Sequence, residues 1–174
     1  MSRLRMLTVL GACMAVFLLA IAFTFFIVFW NNLKSEWDIE ATDAQYVLNH
    51  SPLNHIESES VFTASGVEHV FRGFDVFGRS WYAIMSDSSR TIHAVPTSTL
   101  VSTSLIRHMA TMRSVKLTSV HFGWLSTSTA TRMNTHAGPV YEVFGTEDHR
   151  PVYLYFQATT GRLICQYVLH RQKL

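Results

Sequence analysis

The sequence predicts an α+β protein: an N-terminal transmembrane helix, then two tandem units, each with one helix packed on a curled antiparallel sheet. Three observations carry this prediction. A charge-free run extends from Met6 to Trp30. After it, a helical period followed by alternating strand patterns occurs twice, over residues 31–96 and again over 97–174. Polar turn clusters, Asp87-Ser88-Ser89-Arg90 and Thr159-Thr160-Gly161-Arg162, stand at matching places in the two stretches.

The run from Met6 to Trp30 holds 25 residues, and crossing hydrocarbon as a helix takes about 20 mostly apolar ones. Arg3 and Arg5 precede it; Lys34, Glu36, Asp38, Glu40 and Asp43 follow. Basic residues near a span stay on the cytoplasmic side. Residues 1–5 then form a cytoplasmic tail, 6–30 the span, and the rest of the chain lies outside. Trp30 suits the outer interface, where an amphipathic ring is stable. A cleavable signal sequence is the rival reading, but its apolar core is shorter and ends in small residues, whereas this run ends Phe-Phe-Ile-Val-Phe-Trp. Leu10-Gly11-Ala12-Cys13 resembles a lipobox, yet most of the apolar run follows Cys13 rather than leading to it.

The chain has 14 Lys and Arg and 12 Asp and Glu. With Arg3 and Arg5 set aside, the segment after the span is balanced, which argues against a nucleic-acid surface. Its sparse charge fits an extracytoplasmic domain, or an acidic setting in which carboxylates protonate and the nine His residues gain charge. Cys13 and Cys165 fall on opposite sides of the span boundary, so no disulfide framework is expected. Cys165, between Ile164 and Gln166, reads as a buried thiol.

In the first unit, Ser35 and Asp38 suggest a helix start. Trp37, Ala41, Ala44 and Val47-Leu48 then recur at helical spacing, giving a helix over 36–49 that Pro52 ends. Strands are expected at 60–64, 67–75, 79–86 and 91–95, with a turn at Ser65-Gly66 and a hairpin around Phe77-Gly78. In the second unit Thr97 to Thr99 offer capping hydroxyls. Val101, Leu105, His108-Met109 and Met112 mark one helical face. A strand follows over 115–125, a Ser/Thr-rich loop over 126–137, a hairpin of 139–145 with 151–158, and a last strand at 163–169. Laid over each other, Val70-Phe71-Arg72-Gly73 matches Val140-Tyr141-Glu142-Val143, the stretch from Arg79 matches the one from Arg150, and Arg90 matches Arg162.

Phe71-Arg72-Gly73-Phe74-Asp75, Pro139-Val140-Tyr141-Glu142-Val143, and Tyr153-Leu154-Tyr155-Phe156 leading to Thr160-Gly161-Arg162 resemble the TseB-like (YpmB) cell wall elongation regulators. These join one span to tandem PepSY or cystatin-like units. Members often carry Pro-x-Trp-Glu where this chain has Tyr141 in place of Trp. The resemblance implies a non-enzymatic, single-pass membrane protein whose exterior units bind a class B penicillin-binding protein and influence wall elongation. It implies no catalytic, cofactor or metal residues. PepSY and cystatin-like units elsewhere are linked to peptidase inhibition, so a protease-regulating module at the cell surface is the alternative.

The residues themselves offer little chemistry. There is no Gly-x-Ser-x-Gly, Ser-x-x-Lys or His-Glu-x-x-His, and no Gly-rich phosphate loop. His50 and His55 flank the Ser51-Pro52 turn, without Cys or carboxylate at ligand spacing. Asp148-His149 reads as a turn. The aromatics carry more information: Phe122 and Trp124 share a strand face, Trp81 and Tyr82 take opposite faces, and Tyr153 with Tyr155 would form a partner surface if exposed. Partner-binding residues are otherwise unassigned.

Overall fold

The computed structural model describes residues 3–169; within the first helix, the side chains of residues 3–13, 15 and 31–40 lie outside what is described. That helix, α1, runs from Arg3 to His50 as one element. The separate helix expected over 36–49 is therefore the end of a longer one. The chain divides into two compact units, residues 1–43 and 44–174. Among the described residues no helix is long and apolar enough to cross a membrane. The expected span over 6–30 falls partly on residues whose side chains lie outside the described ones.

The second unit is α+β, with two four-stranded antiparallel sheets in the orders β1-β2-β3-β4 and β5-β6-β7-β8. The first sheet consists of β1 (His55–Phe62), β2 (Glu68–Phe74), β3 (Ser80–Ser86) and β4 (Ile92–Pro96). α2 (Thr103–Thr111) leads into β5 (Lys116–Leu125), α3 (Thr127–Arg132), β6 (Gly138–Glu147), β7 (Arg150–Gln157) and β8 (Leu163–Val168).

Expectations about β1, α2 and α3 need correction. β1 begins five residues before the expected strand at Ser60. Most of it is exposed, and an edge strand held by its backbone shows little apolar alternation to read. The cap of α2 is Ser102, whose Oγ accepts from the Leu105 N–H at 3.3 Å, while Thr97–Thr99 form a 3-10 turn. The helix buries Ile106 and Ala110; Leu105 and Met112, placed on its apolar face by sequence, are exposed. The expected loop over 126–137 contains α3, capped by Ser126 Oγ on the Thr129 N–H and anchored by buried Ala130.

Each sheet face is set by strand alternation. Phe71 pairs with Ala83, and with Met85 they pack on Val47 and Leu53 in one core. The opposite face carries Phe62, Val70, Ile84 and Val95, which join Phe122, Tyr141, Leu154 and Phe156 of the second sheet and Ile106 of α2 in a larger core. Trp81 and Tyr82 divide between these two cores as their alternation predicts.

The two sheets repeat one design. Ile56 pairs with Gly73 and Leu117 with Gly145, and a bulge follows at once in each first strand. A Cβ at Gly73 would collide with the His55 carbonyl, and one at Gly145 would lie 2.6 Å from the Lys116 carbonyl. Gly73 therefore corresponds to Gly145, two residues beyond the Val143 of the sequence overlay. Trp81 corresponds to Val152, as the overlay had it. In the following turns Arg90 and Gly161 each bond back four residues, to Ser86 and Gln157, with φ of 52° and 74°. The left-handed position of Arg90 thus matches Gly161 rather than Arg162.

Candidate functional site: a groove between the two sheets

Where the sheets meet, an aromatic cluster forms the floor of a groove. The Tyr82 and Phe122 rings lie 4.2 Å apart, and Phe122 meets Tyr141 edge-on at 5.4 Å. The groove has two lobes of about 210 and 280 Å³, which share Arg72, Tyr82, Thr103 and Tyr141. Ser58, Ser60 and His121 border the first lobe; Thr97, Val101 and Ser102 border the second. Among the described residues no Asp or Glu lines either lobe.

Four strands position Arg72 and the aromatic rings. Arg72 and Tyr82 pair across β2 and β3, so their side chains share the face turned toward the second sheet. Phe122 and Tyr141 pair likewise across β5 and β6. Tyr141 donates its hydroxyl to the Val101 carbonyl at 3.0 Å, which ties β6 to the segment before α2. Burial, and then neighbouring Tyr82, push the Tyr141 phenol up. Arg72 is half-exposed, and its Nε lies 3.8 Å from Glu57, a separation at which an exposed ion pair adds little.

This arrangement suits holding a ligand. Among the described residues no hydrogen bond couples the His121 ring to a lining hydroxyl, and no group of three or more His, Cys, Asp or Glu could hold a metal. His50, considered with His55 as a metal pair, stacks on Tyr46 at 4.1 Å and bonds its carbonyl. Asp148 and His149 form the β6–β7 turn, both at positive φ. Cys165 is half-buried, and burial pushes its thiol up against the effect of a Tyr167 hydrogen bond. Tyr155 is buried, bonded to Glu142 at 2.6 Å, and Tyr153 packs on Phe144 at 4.9 Å. Tyr155 therefore belongs to the interior rather than to an open patch.

Sequence reasoning named none of the groove residues as a site. Arg72 and Tyr141 entered only as marks of repeat and resemblance. The one available signal is a cation at an inward-facing strand position, which needs the strand register to be noticed.

No family model matches the sequence, and no curated protein matches it. Among solved structures, the chain is similar to the YpmB protein from Bacillus subtilis, with a TM-score of 0.63 and 15% identity over 74% of this chain and 96% of that one. The Bacillus megaterium YpeB C-terminal domain matches with a TM-score of 0.34 and 13% identity, over 77% of this chain and 65% of that one. The chain has the α+β fold of YpmB, built from two tandem four-stranded antiparallel sheets.

Proposed function

We propose that this protein is a single-pass membrane protein, N-terminus cytoplasmic, whose extracytoplasmic units bind another envelope protein, a class B penicillin-binding protein of the elongation machinery, and thereby regulate wall elongation without catalysis of their own. The fold shared with YpmB over 96% of that chain carries the reading. The run over 6–30 supports the anchor: its described part exposes Phe17, Phe23, Phe25, Phe26 and Phe29, a surface suited to lipid rather than water. Confinement to one membrane raises the effective concentration of a neighbouring membrane protein. Crosslinking the intact protein in its own membrane should capture such a synthase. Replacing the span with a cleavable export signal should weaken the effect on cell shape; undiminished activity of the released form would sink the proposal.

One observation favours the alternative, a protease-regulating module. The β2–β3 hairpin tip exposes Val76 and Phe77, at 72% and 79%, while Asp75 below them accepts four hydrogen bonds, from the Phe77 and Arg79 N–H groups, the Arg79 guanidinium and the Trp81 indole. A rigid apolar tip can enter a cleft at small entropic cost. Inhibition in a protease panel that Phe77→Ala abolishes would favour this reading.

A further inference from the structure

We propose that the groove between the sheets binds an extended peptide segment through one acidic side chain, with the carboxylate seated on Arg72. This deepens the binding function above and rests on it.

The ligand's charge follows from the lining. Among the described residues, Arg72 is the only permanently charged one bordering either lobe, and no carboxylate lines the groove with it. Its contact with Glu57, outside the lining, is 3.8 Å long. A ligand carboxylate can approach a guanidinium through two short parallel bonds, so it would displace that contact rather than compete on equal terms. A single cation matches a single negative charge.

The ligand's shape follows from the walls. The groove is elongated, two lobes joined at Arg72, Tyr82, Thr103 and Tyr141. β1 and β5, each the edge strand of its sheet, both border it. The Ser58 and Ser60 hydroxyls can bond a main chain running past, while the Tyr82, Phe122 and Tyr141 rings form a floor for its side chains. Hydroxyls at the walls, rings below and one guanidinium at the joint are the groups an extended peptide with one Asp or Glu would use.

The test uses the full chain in detergent micelles and fluorescently labelled hexapeptides, Gly-Ser-Phe-Asp-Ser-Gly and its Asn counterpart, read by anisotropy. The Asp peptide should bind about tenfold tighter, as expected for a charge-assisted pair. Arg72→Gln should erase that difference, chiefly by weakening the Asp peptide; Arg72→Lys should retain part of it. Equal affinities, a preference that survives Arg72→Gln, or no binding at about 1 mM would overturn the assignment. Loss of peptide selectivity in Arg72→Gln supports the groove, and weaker membrane crosslinks in the same variant would show that the synthase contact runs through it. Absent crosslinks with intact selectivity overturn only the regulator reading.

Discussion

The Glu68 carboxylate on β2 accepts a hydrogen bond from the Trp124 backbone N–H on β5 at 3.1 Å, tying the first sheet to the second. Glu68 is 6% exposed. Burial pushes its carboxyl up to about 7, against the lowering effect of the Trp124 N–H. On the other side of the bond, the His93 ring stacks on Trp124 at 4.0 Å, and burial pushes that imidazole down.

A raised carboxyl binds more protons folded than unfolded between 4.5 and about 7. Stability from Glu68 is thus present on the acid side and falls as pH rises through that window. His93 acts in the opposite direction, gaining stability as it deprotonates. In Glu68→Gln the amide oxygen can still accept from Trp124, while the titration is gone. Denaturant unfolding of the full chain should show the variant more stable than the parent by about 1–3 kcal/mol at pH 8 and close to it at pH 5. A difference independent of pH would refute this account. An acidic setting, considered from the sparse charge, is one in which Glu68 would favour the fold.

Gly123 is the place where the second sheet meets Phe62. A Cβ there would fall on the Phe62 ring, and Phe62 is 2% exposed. Gly123→Ala should cost about 1–3 kcal/mol of stability through overpacking. Adding Phe62→Leu should recover part of that loss, giving a non-zero coupling in a double-mutant cycle. Strict additivity would mean the two residues do not share this space.

Asp75 holds the β2–β3 tip. Burial alone would raise its carboxyl, but hydrogen bonds from the Arg79 N–H and guanidinium, the Trp81 indole and the Phe77 N–H outweigh it and hold the group at about 2. Its stabilisation is therefore present above the ordinary 3.8 and is lost as pH falls through 2. Asp75→Asn keeps an acceptor for the two N–H groups and removes the charge facing Arg79. Hydrogen exchange should speed up at the Phe77 and Arg79 amides while Phe71 and Ala83 keep their protection. Uniform acceleration across the sheet would contradict a local role.

Ser102, rather than Thr97 to Thr99, starts α2. Ser102→Ala should cost about 1 kcal/mol of stability, whereas Ser98→Ala, on the exposed 3-10 turn, should stay within about 0.5 kcal/mol. Equal losses at both positions would place the cap wrongly.

The sequence alone determined the α+β pattern, the order of the strands, most strand bounds and both hairpins, because alternation and turn chemistry are local. Val70, Phe71, Val152 and Leu154 showed their strands by residue type. It also set the overlay from Arg79 onto Arg150. Tertiary structure decided what depends on distant partners. β1 takes its place by backbone pairing with β2, so its exposed Glu57, Ser58 and Ser60 carried no apolar signal. α3 forms in a Ser/Thr-rich stretch because Ala130 finds a core to enter. The match of Gly73 to Gly145 rests on the bulges opposite them, since spacing alone cannot show where a carbonyl presses against a Cα. The groove depends on tertiary structure most of all: Arg72, Tyr82, Thr103 and Tyr141 come from four elements, and only the packing of one sheet against the other brings a cation, hydroxyls and aromatic rings to one place.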